Sequence, residues 1–227
     1  MKNMLLELRQ ILLLLILQFD LECCPEILLD LNCINFSPKK QFKLTSGKKS
    51  PIYCDCRRLI SFPKEMKTLT NFAVKKLKSL NDFKKISNIA GGESAGIPFA
   101  ALIASKLNLP MTYIRKEKKK FGKNSQIEGV IKPKDNVILV EDLMTDGGSK
   151  LKFFQALENA KCNTRALFVI FNYGIIEKNF EFKKKKISLI SLTNWDTVLK
   201  VAKKKKMINE KDIIIINEFL GSIGVKN

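Results

Sequence analysis

The segment Val137-Ile-Leu-Val-Glu-Asp-Leu-Met-Thr-Asp-Gly-Gly-Ser149 decides the fold, because an apolar strand runs directly into two acids and a glycine loop. The strand, predicted at residues 136–140, delivers Glu141 and Asp142 to the carboxyl edge of a sheet, where open α/β folds bind ligands. Residues 145–149 then supply hydroxyls and closely spaced N–H groups at a helix start, which favours an anion. The segment therefore predicts a ligand that carries a diol next to a phosphate. An ordinary capped helix after a glycine turn is the alternative.

Strand-like apolar runs alternate with stretches of helical period on both sides of this segment, which is the pattern of βαβ units. The expected fold class is α/β, with a central, mostly parallel sheet flanked by helices. We expect the lysine quartets at 183–186 and 203–206 to form a solvated face or a turn. The predicted strands are 87–90, 111–114, 136–140, 166–171 and 187–191, and the predicted helices are 63–80, 96–107, 147–160 and a region from 193 onward.

Composition narrows the classes of protein. The chain has 227 residues, 45% of them hydrophobic, which fits one globular domain of ordinary size. It contains no histidine, so histidine-rich zinc sites and nucleophiles activated by histidine are excluded. The formal net charge is +19. Such a charge attracts phosphates, nucleic acid or acidic lipid, but it carries no information about the fold.

Neither the cysteines nor the N-terminus favours secretion. Six cysteines occur without a CxxC pair, so we expect reduced thiols and a cytoplasmic protein. The apolar run 11–17 is shorter than the ~20 residues of a membrane span, and no small-residue cleavage site follows it. We expect residues 1–24 to form an apolar helix that packs on the domain or on a second subunit. A secretory signal is the alternative.

The segment 137–149 closely resembles the phosphoribosyl-diphosphate (PRPP) signature of type I phosphoribosyltransferases, and it lacks the Gly-Lys-Ser/Thr ending of a Walker A loop. The resemblance implies the type I phosphoribosyltransferase fold, in which a small N-terminal hood covers the sheet. It also implies that the acids bind the ribose hydroxyls, that Asp142 takes part in catalysis and that the loop binds the 5′-phosphate. The PRPP-binding residues implied here are Glu141, Asp142, Leu143, Met144, Thr145, Asp146, Gly147, Gly148 and Ser149.

A second stretch, FKLTSGKKSPIYCDCRR at residues 42–58, resembles the N-terminal motif of orotate phosphoribosyltransferases. The shared features are a Ser-Gly turn, a Ser-Pro pair and a following aromatic residue and acid. A plain hairpin around the Ser-Gly pair is the alternative. The resemblance implies that Thr45, Tyr53 and Thr145 bind orotate.

Residues 113–129, with YIRKEKKKFG and QIEG, resemble the mobile catalytic loop of the same family. On that resemblance Arg115, Lys116 and Lys119 contact the diphosphate of PRPP and act in catalysis. In the family this loop reaches into the neighbouring subunit, which implies a homodimer. Cations on a closing loop stabilise the charge of a leaving diphosphate while they exclude water. A solvated lysine-rich loop is the alternative.

The stretch Gly91-Gly-Glu-Ser-Ala-Gly-Ile-Pro98 stands where the family's diphosphate-binding loop follows a strand. Its small residues allow close backbone approach, and its N–H groups can form an anion nest. The resemblance implies that Glu93, Ser94 and Ala95 bind PRPP. A simple strand-to-helix turn is the alternative.

The resemblance begins at about residue 25 and implies one phosphoribosyltransferase domain at 25–227. Its expected parts are a hood at about 25–60, a PRPP-binding core at about 63–192 and C-terminal helices at about 193–222. The implied activity is Mg2+-dependent transfer of ribose 5-phosphate from PRPP to orotate in pyrimidine synthesis, with neither a nucleic-acid nor a membrane partner. A transferase for another base and a PRPP-sensing regulator that binds nucleic acid are the alternatives.

The sequence departs from the family pattern at several positions. Phe121 replaces a common loop histidine, and Thr45 and Ala95 stand where lysine is common. Tyr173 lies nearest to the place of an arginine that often holds the orotate carboxylate. The orotate carboxylate would then be bound by backbone groups or by a cation of the hood. The candidate cations are Lys43, Lys48 and Arg57.

Overall fold

A central sheet organises the computed structural model, which describes residues 23–44, 47–118 and 125–225. Its strands are β5 (Asn88–Gly92), β6 (Met111–Ile114), β7 (Ile127–Glu128), β8 (Asn136–Met144), β9 (Asn163–Asn172), β10 (Asn179–Phe182) and β11 (Lys185–Asn194). In these ranges the seven strands pair in the order β10-β11-β9-β8-β5-β6-β7. The inner pairs are parallel and the edge strands β10 and β7 are antiparallel, so the predicted mostly parallel sheet is confirmed.

Helices cover both faces of this sheet. The first, α1, is described at residues 23–30. The others are α2 (Pro63–Lys78), α3 (Gly96–Leu107), α4 (Leu151–Asn159), α5 (Trp195–Lys204) and α6 (Glu210–Ser222). The α/β class expected from the alternating pattern is therefore confirmed.

Two hydrophobic cores lie on the two faces of the sheet. Leu69 of α2, Ile103 of α3 and Val198 of α5 are buried in the first core. On the other face Phe154 of α4 stacks on Phe180 of β10, with ring centroids 5.0 Å apart. Strand β8 contributes side chains to both cores, because successive side chains of a strand point to opposite faces. This double burial explains the unbroken apolar run at 137–140.

The N-terminal part of the domain is built from short strands. These are β1 (Ile34–Phe36), β2 (Phe42–Lys43), β3 (Lys49–Ser50) and β4 (Ile52–Cys54). β1 pairs with β4, and β2 pairs with β3 as a hairpin, so the hairpin considered for this motif is present. A 3₁₀ helix, Cys56–Ser61, follows, and Asp55 caps it by accepting the N–H of Arg57.

Two predicted boundaries around the glycine loop are wrong. β8 continues through both acids to Met144, because Leu143 and Met144 pair with Phe171 and Asn172 of β9. The predicted helix at 147–160 starts later, since a 3₁₀ turn precedes α4. The two acids therefore lie in the C-terminal part of strand β8 and not in the loop that follows it.

The edge of the sheet was also incompletely predicted. The sequence predicts neither β7 nor β10, because both are short and β10 alternates Asn-Phe-Glu-Phe in lysine-rich surroundings. The turn after β10 contains Lys183 and Lys184 with φ of 47° and 64°. The quartet 183–186 thus lies in and just after an exposed turn, as expected. The region predicted to be helical from 193 begins at Trp195, because Asn194 caps α5 by accepting the N–H of Thr197.

Within the described ranges no helix is both long and apolar enough to cross a membrane. The predicted N-terminal apolar helix falls mainly on residues 1–22, which lie outside the described residues. All six cysteines lie in the described residues and none of them forms a disulfide, which agrees with the expectation of reduced cysteines.

Candidate active site

A cavity of about 340 Å³ lies at the carboxyl ends of β5 and β8, where the sheet meets the N-terminal strands. This is the sheet edge at which the sequence predicts a ligand. Cys54, Asp55 and Arg57 form one wall, and Lys150 and Phe153 form another. The sequence-predicted site residues that line the cavity are Glu93, Ser94, Ala95, Lys116, Glu141, Asp142, Leu143 and Ser149.

Glu141 is buried at the floor of this cavity, with 4% of its surface exposed. One carboxylate oxygen, Oε2, accepts a short hydrogen bond from the Lys150 ammonium. The other, Oε1, has no hydrogen-bond partner and packs against the backbone of Gly92 and Gly96. Burial raises the pKa of Glu141, and the nearby Lys150 charge opposes that rise.

Asp142 occupies the opposite side of the strand and faces the N-terminal wall of the cavity. It is also buried, with 8% of its surface exposed. Across from it, Arg57 Nε donates to Asp55 Oδ1 at 2.6 Å, and this hydrogen bond raises the pKa of Arg57. Asp142 adds a smaller contribution in the same direction, so the carboxylate and the guanidinium share one electrostatic environment.

The predicted 5′-phosphate loop is held in shape by one of its own acids. The Asp146 carboxylate accepts the Gly148 N–H at 3.1 Å and the Thr145 hydroxyl at 3.3 Å. Gly147 has φ of +82°, and a Cβ there would lie 2.4 Å from the Phe180 ring. Glycine is therefore required at this position both by conformation and by space. The loop leaves backbone N–H groups at the start of a helix, as an anion site requires.

The predicted diphosphate loop is hydrogen-bonded to the start of the predicted catalytic loop. Glu93 Oε2 accepts the backbone N–H of Lys116 at 2.7 Å, and the Glu93 N–H donates to the Ile114 carbonyl at 2.9 Å. The peptide bond between Glu93 and Ser94 is cis. These contacts place Lys116 at the cavity, beside the diphosphate loop.

Arg115 is directed away from the cavity, unlike its neighbour Lys116. Its guanidinium lies 3.7 Å from the Glu128 carboxylate on β7. Its backbone N–H and carbonyl are bonded to Gln126, at 2.9 Å to the carbonyl and 3.0 Å from the side-chain amide. Positions 115 and 126 therefore fix the two ends of the loop, and Lys119 between them lies outside the described residues.

The predicted orotate-binding residues are not brought together in the described structure. Tyr53 is 38% exposed and packs on Phe42, with ring centroids 5.8 Å apart, outside the lining of the cavity. Thr145 is half-buried and follows β8. Thr45 and Phe121 lie outside the described residues. The side chain of Met144, one of the predicted PRPP-binding residues, is buried in the second core, so only its backbone is available to a ligand.

Comparison with known proteins assigns the family. Residues 61–219 match the family described as phosphoribosyl transferase domain. The chain is 42% identical to the orotate phosphoribosyltransferase of Dinoroseobacter shibae over 195 residues, which cover 86% of each chain. The chain belongs to the orotate phosphoribosyltransferase family. A second orotate phosphoribosyltransferase, from Cereibacter sphaeroides, is 42% identical over 197 residues, which cover 86% of this chain and 85% of the relative.

Solved structures from the same family agree with this assignment. The chain matches the orotate phosphoribosyltransferase of Aeropyrum pernix with a TM-score of 0.65 and 25% identity, over 82% of this chain and 99% of that one. It matches the UMP synthase of Leishmania donovani with a TM-score of 0.73 and 28% identity. That match covers 88% of this chain but 42% of the synthase, so the chain spans less than half of the larger protein. The type I phosphoribosyltransferase fold expected from the sequence is confirmed.

Sequence reasoning missed several residues of this orotate phosphoribosyltransferase site. Lys150 and Asp55 line the cavity although neither was selected, and Arg57 was only one of three candidates for the carboxylate. A signal for Lys150 exists in the sequence, since it directly follows the glycine loop. Its partner Glu141 is nine positions away, and only the fold brings the two together.

The cofactor implied by the family resemblance is magnesium. In the described ranges, no group of three or more His, Cys, Asp or Glu side chains is arranged to hold a metal ion. A magnesium ion that arrives on the oxygens of a diphosphoryl substrate needs few protein ligands, so this cavity fits such an ion better than one held in a protein cage.

Proposed function

We propose that the protein is an orotate phosphoribosyltransferase, which converts orotate and PRPP to orotidine 5′-monophosphate and diphosphate in pyrimidine synthesis. The C1–O bond to the diphosphate breaks, a bond from C1 to the orotate ring nitrogen forms, and the proton of that nitrogen is lost. The observation that carries the proposal is the cavity itself. In a chain of this family, the two acids of β8 line one cavity together with Glu93–Ala95 and Ser149, which supports the proposal.

The sugar is proposed to be clamped at both ends while its anomeric carbon moves towards the base. The 5′-phosphate is held by backbone N–H groups of Thr145–Ser149 at the helix start. Asp142 lies where it can stabilise the positive charge that the ribose develops as the C1–O bond lengthens. Fixing both ends of the sugar supplies catalysis through orientation. Orotate has an acidic ring N–H, so the absence of histidine from the sequence is compatible with the reaction.

The leaving diphosphate gains negative charge in the transition state, and the loop cations are proposed to stabilise it. Lys116 already lines the cavity, whereas Arg115 pairs with Glu128 and would have to leave that partner. We assign the largest transition-state contribution to Lys119. Magnesium would accompany PRPP as part of the substrate and, when bound, would neutralise charge on the diphosphate oxygens.

We further propose that Arg57 holds the orotate carboxylate. Of the three candidate cations, Arg57 lines the cavity, whereas Lys43 and Lys48 are exposed and do not. A guanidinium suits this task because it can bind a carboxylate with two parallel hydrogen bonds. Arg57→Met should raise the KM for orotate at least ~10-fold while the KM for PRPP changes little. Lys48→Met is the matched control, and an equal effect of both changes would remove Arg57 from this role.

We propose that the protein is a cytoplasmic homodimer in which the catalytic loop of one subunit completes the active site of the other. Support comes from the resemblance of residues 113–129 to a loop that is shared between subunits. Mixing a Lys119→Ala chain with an Asp142→Asn chain tests this, because a mixed dimer contains one site with both wild-type residues. Mixed dimers that recover no activity would argue against a loop acting in the neighbouring subunit.

The direct test of the function is the fall in orotate absorbance when PRPP and magnesium are added. Orotate, uracil, adenine and hypoxanthine should be compared as acceptors. We expect turnover of orotate alone, and turnover restricted to a purine would defeat the assignment. Nucleic-acid binding that discriminates sequence at physiological salt, without turnover, would favour a regulator, because the +19 charge alone gives sequence-blind, salt-sensitive binding.

A further inference from the structure

The buried ion pair between Glu141 and Lys150 lies between the two anion-binding loops. Lys150 directly follows the 5′-phosphate loop, and it is 6% exposed. The Glu141 carboxylate packs against Gly92 and Gly96, which flank the diphosphate loop. The pair therefore connects one loop to the other through a single charged contact.

Lys150 stands at a position where a lysine is unfavourable for the helix. It is the N-cap of α4, and a cation at a helix N-terminus opposes the helix dipole. Burial of an ammonium group also costs free energy unless a partner offsets it. An apolar residue would avoid both costs but would leave the buried Glu141 carboxylate without its partner, so the lysine is explained by that carboxylate and not by the helix.

The glycines on the other side of the pair make room for the Glu141 carboxylate. A Cβ at Gly92 would lie 2.4 Å from Glu141 Oε1, and a Cβ at Gly96 would lie 2.7 Å from the same atom. Contacts this short do not occur in proteins, so the carboxylate fills the space that side chains at these positions would need. The carboxylate thus accepts a hydrogen bond from Lys150, beside one loop, and packs against the backbone that flanks the other.

We infer that Lys150 is a positioning residue of the PRPP site: its ammonium fixes the Glu141 carboxylate, and the pair sets the separation of the diphosphate loop and the 5′-phosphate loop. The inference rests on the proposed function, because PRPP is the ligand that must occupy both loops at once. A ligand that carries only one of the two phosphate groups depends on one loop and is less sensitive to their separation.

The test compares PRPP binding by calorimetry, with magnesium present, in the full-length wild-type protein and its variants. Lys150→Met should weaken PRPP binding about 30-fold or more, as loss of one partner of a desolvated charge pair does. Free diphosphate and ribose 5-phosphate should each lose no more than about 3-fold. Lys152→Met is the matched control, since Lys152 is exposed on the same helix, and it should bind PRPP within about 2-fold of wild type.

The pH dependence of PRPP binding separates positioning from a merely structural role. Besides Lys150, the charges that act on Glu141 are those of Asp142, which raises its pKa, and Lys116, which lowers it. Without the Lys150 charge the pKa of Glu141 rises further, so Glu141 loses its negative charge at a higher pH. The acid limit of PRPP binding, which is the pH below which binding is lost, should therefore move to higher pH in Lys150→Met. Lys150→Arg keeps the cation and should keep the wild-type limit. The phosphate groups of PRPP also titrate. Because this contribution is the same for both variants, it cancels when the pH profiles of Lys150→Met and Lys152→Met are compared.

A double variant keeps the test valid if Lys150→Met does not fold. Glu141→Gln/Lys150→Met leaves no buried charge unpaired, so it should fold, lose the Glu141 titration and still bind PRPP weakly. Wild-type affinity in the double variant would overturn the inference, as would a Lys150→Met protein that matches Lys152→Met or keeps the wild-type acid limit. Equal losses for PRPP and for one fragment would show a direct local contact instead. Failure of the wild-type protein to bind PRPP would sink the proposed function itself.

Discussion

Replacing Gly96 with alanine tests how tightly the diphosphate loop is packed against the central sheet. Gly96 is the first residue of α3, and its Cα faces the backbone of β8. A Cβ at this position would lie 2.2 Å from the Val140 carbonyl oxygen, against a closest normal approach of 3.0 Å. The helix and the strand must therefore separate by about 0.8 Å, and the contacted atom belongs to the backbone of a buried stretch of β8.

The cost follows from the kind of atom that must move. Overpacking a well-packed interior costs about 1–3 kcal/mol, and a clash with backbone belongs at the upper end, so we expect about 3 kcal/mol. This corresponds to a ~160-fold change in the folding equilibrium constant. For a protein of this size, Tm should fall by about 6–12 °C. PRPP affinity should fall as well, because the predicted diphosphate loop directly precedes α3 and would move with it.

The assay is thermal and urea unfolding followed by the fluorescence of Trp195, the single tryptophan. This residue is buried in the first core and packs edge-on against Phe171, so its emission reports loss of the core. Gly221→Ala is the control, because a Cβ there meets no atom within 4 Å and alanine favours a helix by roughly 0.5–1 kcal/mol. A Gly96→Ala protein whose Tm stays within about 2 °C of wild type would refute this packing argument.

Three further changes test other parts of the structure. Asn209→Ala removes the capping box that Asn209 and Asp212 form at the start of α6, and urea unfolding should show a loss of about 1 kcal/mol; no loss would mean that the cap is replaced by water. Glu141→Gln removes a carboxyl whose folded pKa is raised by burial. Stability from such a group is present below its unfolded pKa and is lost as pH rises through the folded value. The stability of wild type relative to Glu141→Gln should therefore fall as pH rises above about 4, and a constant difference would contradict the raised pKa. Lys119→Ala should lower kcat far more than it raises the KM for PRPP in steady-state kinetics, and a change confined to KM would mean that Lys119 only helps binding.

The course of the sheet could be predicted because each inner strand has a local signature. The apolar run at 137–140 is buried on both sides, and such a run has few alternatives to a central parallel strand. The end of β8 could not be placed, since Glu141 and Asp142 look like loop residues until β9 is seen to continue beside them. β10 could not be predicted, because Phe180 and Phe182 are buried only through their contact with α4, which is distant in the sequence.

The part of the candidate site that lies in one short stretch of sequence could be predicted. The part that the fold assembles from distant residues could not. The motif from Glu141 to Ser149 contains the anion loop and both acids within one stretch of sequence. Arg57 could not be separated from Lys43 and Lys48, because all three are cations of one motif and only the fold brings Arg57 to the cavity. Lys150 directly follows the glycine loop, but a lysine at a helix start is ordinarily solvated, so that position alone does not mark it as buried.

The hydrogen bonds that join Arg115 to Gln126 have a consequence for how this enzyme can change over time. Because the ends of the catalytic loop are bonded to each other, the residues between them can be exchanged without altering the pairing of β6 and β7. Substitutions in that loop should therefore be selected through turnover and scarcely through folding. We therefore expect that loops from relatives can be grafted between positions 115 and 126 with little effect on the stability of the domain.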